Sequence, residues 1–216
     1  AGQGASMGMH ESQSRLFENI IGRSKAFWSP LYGKLQQMYL QQLGDVSLDA
    51  FYHAINKAQA SLIRTEADEL TYCLHIMVRY EAEKKIIEED YPVEELPKLW
   101  NQLYEEYLGV VPPTDTEGIL QDIHWAQGSF GYFPSYALGN AFASQIYHQM
   151  EKDLDMETLL HEGNFAVIDE YLREHIHQYG ASRSTNRLLH ELTGEDFNPD
   201  YYVNYLKNKY KEIYQL

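Results

Sequence analysis

An all-α fold is predicted by three features of the sequence. Apolar residues recur at spacings of three and four along most of the chain, the period of an amphipathic helix. Pro and Gly cluster between those periodic runs, where they punctuate helices. Period-two alternation, the mark of a half-buried strand, is scarce. The chain has 216 residues, 44% of them hydrophobic, which is ample for a core. No internal repeat, low-complexity run or Gly/Ser linker divides it, so residues 1–216 read as one helical unit.

From His10 to Trp28, apolar residues at Leu16, Phe17, Ile20, Ile21, Phe27 and Trp28 form one face of a helix. Pro30 and Gly33 mark a break, and Leu31, Leu35, Met38 and Leu43 carry a second helix to Gly44. Ser47 reads as the N-cap of a third, because its hydroxyl can accept from a free first-turn amide. The longest helix is expected from about Thr65 to Glu89, with Leu70, Cys73, Leu74, Met77 and Ile87 near one face. Glu81 and Lys85 make a favourable pair on it, and Pro92 ends it. Another helix runs from Val93 to Leu108 with Pro97 in its first turn. Residues 109–118 form a Pro/Gly loop, "AQGSFGYFPSY" a turn, and a helix follows to about Asp153. Two or three helices complete the chain, one of them the Tyr-rich "PDYYVNYLKNKY".

The formal net charge of −15 opposes a phosphate backbone and an anionic lipid surface, so neither nucleic acid nor membrane is an expected partner. No run of about 18 apolar residues suits a membrane span. The first twelve residues show no basic segment and no apolar segment of a secretion signal. Cys73 is the lone cysteine, which excludes an internal disulfide and a cysteine zinc cluster. Together these point to a cytoplasmic protein. Eighteen Tyr residues suit clefts that are apolar in body and wet at one end.

Four constellations can carry chemistry. In "MGMHESQSRLFEN", Glu11 is either a first-turn carboxylate favoured by the helix dipole or a metal ligand. The chain has no H-E-x-x-H, and none of its nine His completes a local zinc motif. His175 and His177, two apart, point to opposite sides of a helix and read as surface or packing residues. In "LIRTEADEL", Arg64 and Asp68 are spaced as an ion pair; alternatively, the planar Arg64 fork takes a substrate carboxylate. "GILQDIHW" sets His124 beside Asp122, which can orient it. "GSFGYFPSYALGN" places Gly128, Gly131 and Gly139 around Tyr132 and Tyr136. Glycines allow close backbone approach to a ligand, and a Tyr held on such a turn can donate to a developing oxyanion.

Taken together and in order, "HESQSRLFEN", "IRTEAD", "GILQDIHW" and "GSFGYFPSY", with the C-terminal "TGEDFNPDYYVNYLKNKY", closely resemble the carboxypeptidase Taq family of metallocarboxypeptidases over nearly the whole chain. The resemblance implies the C-terminal helical portion of a zincin-like peptidase fold, akin to angiotensin-converting and neurolysin-like enzymes. It also implies a longer parent protein whose H-E-x-x-H lies upstream, so that this chain is a C-terminal fragment beginning in the loop after that motif. Carried over, Glu11 is the third protein ligand of Zn2+ or Co2+. Ile63, Arg64, Ala67 and Asp68 match one family motif; Gly118, Gln121, Asp122, His124 and Trp125 match another. By looser analogy with related helical zincins, His124 and Tyr132 serve catalysis, with Tyr136 in reserve, and Arg64 and Tyr136 contact substrate. The implied activity is release of C-terminal amino acids from peptides with a free C-terminus, in a homodimer. Without the two His and the general-base Glu, the chain alone is expected to be metal-free and inactive. The alternative from another class is a non-catalytic helical interaction or dimerisation module.

Overall fold

The computed structural model describes residues 3–216, and every regular element among them is helical. In chain order the α-helices are α1 (Met7–Arg15), α2 (Lys25–Trp28), α3 (Tyr32–Met38), α4 (Leu40–Leu43), α5 (Leu48–Ile55), α6 (Tyr72–Glu88), α7 (Leu96–Leu108), α8 (Pro134–Asp153), α9 (Met156–Glu162), α10 (Phe165–His175), α11 (Thr185–Thr193) and α12 (Asp200–Tyr214). No helix among the described residues is long and apolar enough to cross a membrane. The helices form two compact units. The first joins the residues up to Asn56 with Leu138–Leu216, and the second is Lys57–Ala137. Helix α8 runs across the boundary in sequence, its first turn counted with the second unit.

In the first unit α8 is buried almost all round, from Gly139 to Ile146. Its core partners include Leu16, Ile21, Ile168, Leu172, Leu188 and Leu189, each at most 2% exposed. Buried polar groups on α8 are paired, as burial requires. Asn140 accepts from Asn19 at 3.2 Å, while Gln145 donates to the Asp196 carbonyl and accepts from the Asn198 amide, both at 3.0 Å. Helix α1 packs closely on α8. A Cβ built on Gly139 would lie 2.6 Å from Glu11 Cγ, and one on Gly8 would lie 3.0 Å from the Phe142 ring. Two glycines thus set how near the Glu11 backbone comes to α8.

The expected helix from His10 to Trp28 is broken. Helix α1 starts earlier, at Met7, where the Ser6 hydroxyl accepts from the Met9 amide. Residues Leu16–Ile21 widen into a π-helical turn, and Ser24 caps the separate α2 by accepting from the Phe27 amide. The second expected helix is divided at Tyr39, whose φ/ψ of −126°/50° is not helical. Ser47 does cap α5, accepting from the Ala50 amide at 3.1 Å. Four helices follow α8 rather than two or three.

The second unit is built on α6 and α7, around Val78, Trp100, Tyr104 and Leu108, with Tyr72, Ile76 and Phe133 as a second cluster. Helix α6 begins at Tyr72, not Thr65. A short 3-10 turn at Arg64–Glu66 ends in extended Ala67, and the Asp68 carboxylate accepts from the Thr71 amide and hydroxyl at 2.9 and 2.8 Å. Its buried face also differs from expectation. Leu70, Met77 and Ile87 are 39, 42 and 64% exposed, whereas His75, Arg79 and Glu83 are buried beside Ile76, Val78 and Ala82. Lys85 pairs with Glu89, not Glu81, and the helix ends before Pro92, at left-handed Asp90. The longest helix is α8, with 20 residues against 17 in α6.

Gly139→Ala is expected to destabilise the protein by about 1–3 kcal/mol, since the new methyl overlaps Glu11 in a filled contact. An unchanged midpoint in urea unfolding would show that α1 can shift freely.

Candidate functional site

The second unit holds a buried charged cluster with one carboxylate at its centre. Asp122 Oδ1 accepts from Arg64 Nε and Nη2 at 2.9 and 2.7 Å, and Oδ2 accepts from Arg79 Nε at 2.6 Å. Arg79 also donates to the Gln121 side-chain oxygen at 2.8 Å and the His75 carbonyl at 2.7 Å. Gln121 accepts the Arg64 backbone amide and donates to the Leu62 carbonyl, at 2.9 and 3.0 Å. The Gln-Asp pair of "GILQDIHW" thus orients two guanidiniums, so a motif contiguous in sequence is a tertiary clasp in the fold. Burial alone would raise the Asp122 pKa, but Arg79 and Arg64 outweigh it and hold the carboxyl below its usual range.

Two guanidiniums face one carboxylate, which leaves the trio with a surplus positive charge. Nearby imidazoles are shifted toward the neutral form, chiefly by burial and secondarily by these arginines. His75 is fully buried, with Nδ1 3.1 Å from the Tyr104 hydroxyl; burial first and Arg79 second push its pKa down to about 4. His124 is lowered by burial, and Arg64 and Arg79 add to that effect against the opposing pull of Asp122. A neutral His offers one N–H donor and one lone pair.

His124 lies with three aromatic residues from the Gly-rich turn. Its Nε2 is 3.0 Å from the Tyr136 hydroxyl, and its ring centroid is 4.3 Å from Phe133 and 5.6 Å from Tyr132. The Tyr132 and Tyr136 rings meet edge to face at 5.3 Å, and Arg64 lies 5.0 Å from the Tyr136 centroid. Gly128 and Gly131, at φ of 72° and 75°, occupy left-handed backbone that side chains disfavour. Thus His124, Tyr132, Tyr136 and Arg64 are brought together in one unit. Arg64 pairs with Asp122 and donates to the Tyr72 hydroxyl at 3.1 Å; the local pair with Asp68 expected from spacing does not form. Asp68 is instead occupied by the Thr71 amide and hydroxyl and by the Gln59 amide.

Glu11 belongs to the first unit. It is the fifth residue of α1, beyond the first turn, so the helix dipole does not explain it. Its Oε1 accepts from Arg15 Nε at 2.7 Å and its Oε2 from the Ser14 hydroxyl at 3.3 Å; its side chain is 21% exposed. Among the described residues no three His, Cys, Asp or Glu side chains converge as a metal-ligand set. An oriented carboxylate on a closely packed helix suits one share of a hard-cation site, not a whole one. His175 packs on the Tyr171 ring at 4.4 Å, and His177 meets the Gln13 side-chain oxygen at 2.8 Å.

Arg79, His75, Tyr72, Tyr104 and Glu83 were not among the expected site residues. Their signal was available: His75, Arg79 and Glu83 recur at a spacing of four, a polar stripe on one helical face. It was masked because apolar Leu70, Met77 and Ile87 suggested a different inner face.

The family model described as Carboxypeptidase Taq (M32) metallopeptidase matches residues 1–210. Carboxypeptidase 1 of Bacillus subtilis (strain 168) is 52% identical over 214 residues, covering 99% of this chain and 43% of that protein. Thermostable carboxypeptidase 1 of Thermus thermophilus is 41% identical over 214 residues, covering 99% of this chain and 42% of that protein. The crystal structure of M32 carboxypeptidase from Deinococcus radiodurans R1 superposes with a TM-score of 0.95 at 37% identity, covering 100% of this chain and 44% of that one. The chain therefore spans less than half the length of the relatives it matches.

His75 gives the site a pH signature. Its folded pKa, about 4, lies below the ordinary 6.5, so only the unfolded chain takes up its proton between those values. Stability is therefore expected to fall by roughly 3 kcal/mol as pH drops from 6.5 to 4. Urea unfolding across that range checks this, and His75→Asn should flatten the slope.

Proposed function

The chain belongs to the carboxypeptidase Taq (M32) metallopeptidase family, and on that premise we propose that it supplies one metal ligand and the substrate-facing groups of a metal-dependent carboxypeptidase. The observation that carries this reading is the pairing of His124 with Tyr136, beside Tyr132 on a Gly-rich turn and over the Arg64–Asp122–Arg79 cluster. Substrates would be peptides with a free C-terminus, and the working protein would have the length of the relatives.

In that protein Glu11 would hold a divalent metal, zinc or cobalt, together with ligands from outside this chain. When bound, such a metal supplies a Lewis acid and an activated water. The general base that takes the water's proton would also come from outside this chain, and the residues present here would handle the substrate. Tyr132 and His124 donate to the scissile carbonyl oxygen as it gains negative charge, which is worth about 3 kcal/mol per donor in comparable sites. His124 Nε2 meets the Tyr136 hydroxyl and Nδ1 is buried without a hydrogen-bond partner among the described residues, so donation to the substrate requires Nε2–H to exchange Tyr136 for the carbonyl oxygen; the neutral ring carries no charge that must be desolvated. Tyr136 orients the peptide through its hydroxyl. The surplus charge of Arg64 and Arg79 draws the terminal carboxylate of the substrate, favouring exopeptidase over endopeptidase action. Direct contact with that carboxylate requires Arg64 to share its guanidinium with Asp122. A homodimer and a cytoplasmic location complete the proposal; the charge of −15 and the lone Cys73 support the latter.

Two variants made in a protein of the relatives' length separate these roles. Glu11→Gln should lower both metal content and kcat, and unchanged metal stoichiometry would remove Glu11 from the ligand set. Tyr132→Phe should lower kcat about 100- to 1,000-fold with metal content intact. Full activity in that variant would move catalysis away from Tyr132. Residues 1–216 alone should hydrolyse no peptide with added zinc or cobalt. Chelator-sensitive release of C-terminal residues by this chain would overturn that expectation, whereas a helical interaction module predicts no effect of either substitution on turnover.

A further inference from the structure

Glu83 is a buried carboxylate that no step above uses. It lies on α6 at 6% exposure, on the same face as Arg79. Its two oxygens reach two different points of the Gly-rich turn: Oε1 accepts the Trp125 indole N–H at 2.8 Å, and Oε2 accepts the Gly131 backbone N–H at 3.0 Å. Trp125 and Gly131 are the two shoulders of the turn, and Tyr132 is the next residue after the second shoulder. One carboxylate on a rigid helix therefore spans the base of the loop.

We propose that Glu83 is a positioning residue: it clamps both ends of the 125–131 turn and thereby holds Tyr132 in its working orientation. The proposal rests on the assignment of Tyr132 made above. The chemistry favours this role over simple burial. Both partners are N–H donors, so the clamp needs two acceptors on one short side chain, which a carboxylate supplies and an amide does not. Each bond is charge-assisted, and so stronger than its neutral counterpart. Both flanks of the turn are also anchored in other ways. On the far side Phe133 is 1% exposed in the core and the Ser135 amide donates to the Tyr132 carbonyl at 3.0 Å, whereas a Cβ on Gly128 or Gly131, both in left-handed backbone, would meet nothing within 4 Å. On the near side the anchoring is aromatic. The Trp125 ring lies edge-on to Trp100 and Phe133 and stacks on Phe130 at an interplanar angle of 9°, while the Ser129 amide donates to the His124 carbonyl at 2.8 Å. Removing one Glu83 acceptor frees the segment just before Tyr132 while most of the unit keeps its core.

The test uses Glu83→Gln beside Tyr132→Phe in the protein of the relatives' length, with steady-state kinetics, metal analysis and amide hydrogen exchange. Glu83→Gln should lower kcat about 10- to 100-fold with KM changed little and metal content unchanged, as expected for a misaligned group. Exchange should accelerate in peptides covering residues 125–133 and not elsewhere. Glu83→Asp keeps both acceptors on a shorter arm and should lower kcat and speed exchange over residues 125–133, less than Gln does; if the Gln variant fails to fold, that drop relative to wild type is the test, and wild-type kcat with wild-type local exchange in Glu83→Asp overturns the clamp. Wild-type kcat or unchanged local exchange in Glu83→Gln, alongside an impaired Tyr132→Phe, overturns the clamp. Global acceleration of exchange with KM and kcat altered together also overturns it, in favour of a purely structural role. If Tyr132→Phe is fully active, it is the Tyr132 assignment that fails, and with it the catalytic purpose of the clamp.

Discussion

The second unit is organised around a carboxylate shared by two guanidiniums. Bringing Arg64, Arg79 and Asp122 out of water costs several kcal/mol per ion, and only close pairing with the remaining donors satisfied offsets that cost. The structure meets this demand closely. Arg64 is satisfied by Asp122 and Tyr72, while Arg79 is satisfied by Asp122, Gln121 and the His75 carbonyl. Because these partners come from α6, the 3-10 turn at residues 64–66 and the loop before Trp125, the cluster fixes three segments against one another. His124 lies two residues beyond Asp122, so its place is set by the same clasp.

The electrostatic consequence reaches the aromatic residues above the cluster. A net positive charge beneath Tyr136 and near His124 disfavours protonation of the imidazole, in the same direction as burial. It also favours negative charge arriving from outside, whether a substrate carboxylate or an oxyanion. A neutral donor and an attractive field would compete if one charged His supplied both. Here the charge resides on the two arginines, while burial lowers the His124 pKa and favours its neutral form.

The all-helical class, the Ser47 cap, helix α7 and the Gly-rich turn were legible from period and punctuation, because those signals are local. The chemistry of "GILQDIHW" was legible only as a cluster of polar types. What failed was the inference of partners from helical spacing. Arg64 and Asp68 are four apart, but extended Ala67 takes Asp68 off any shared helix and leaves it bonded to Thr71, just before α6. The inner face of α6 was misread for a related reason. A helix whose buried stripe is His75, Arg79 and Glu83 cannot be oriented by hydrophobicity when Met77 and Ile87 point outward. Tertiary hydrogen bonding, which periodicity does not encode, decided that face. Glu11 shows the reverse: a helix starting three residues earlier than expected removed the simple dipole explanation for an acidic residue there.

The two kinds of support given to the proposed functional groups follow from what each group must do. A metal ligand must hold one atom within a few tenths of an ångström, and a helix interior suits that task. Glu11 has it, with α1 set against α8 through Gly139 and its oxygens steered by Arg15 and Ser14. Tyr132, proposed to engage substrate, instead stands just after two left-handed glycines, outside regular structure. A turn reaches outward at the expense of rigidity. The lost rigidity is restored by bonds from outside the turn. Glu83 on the buried face of α6 provides one to the Trp125 indole and one to the Gly131 backbone amide, so both shoulders are tied to a regular helix.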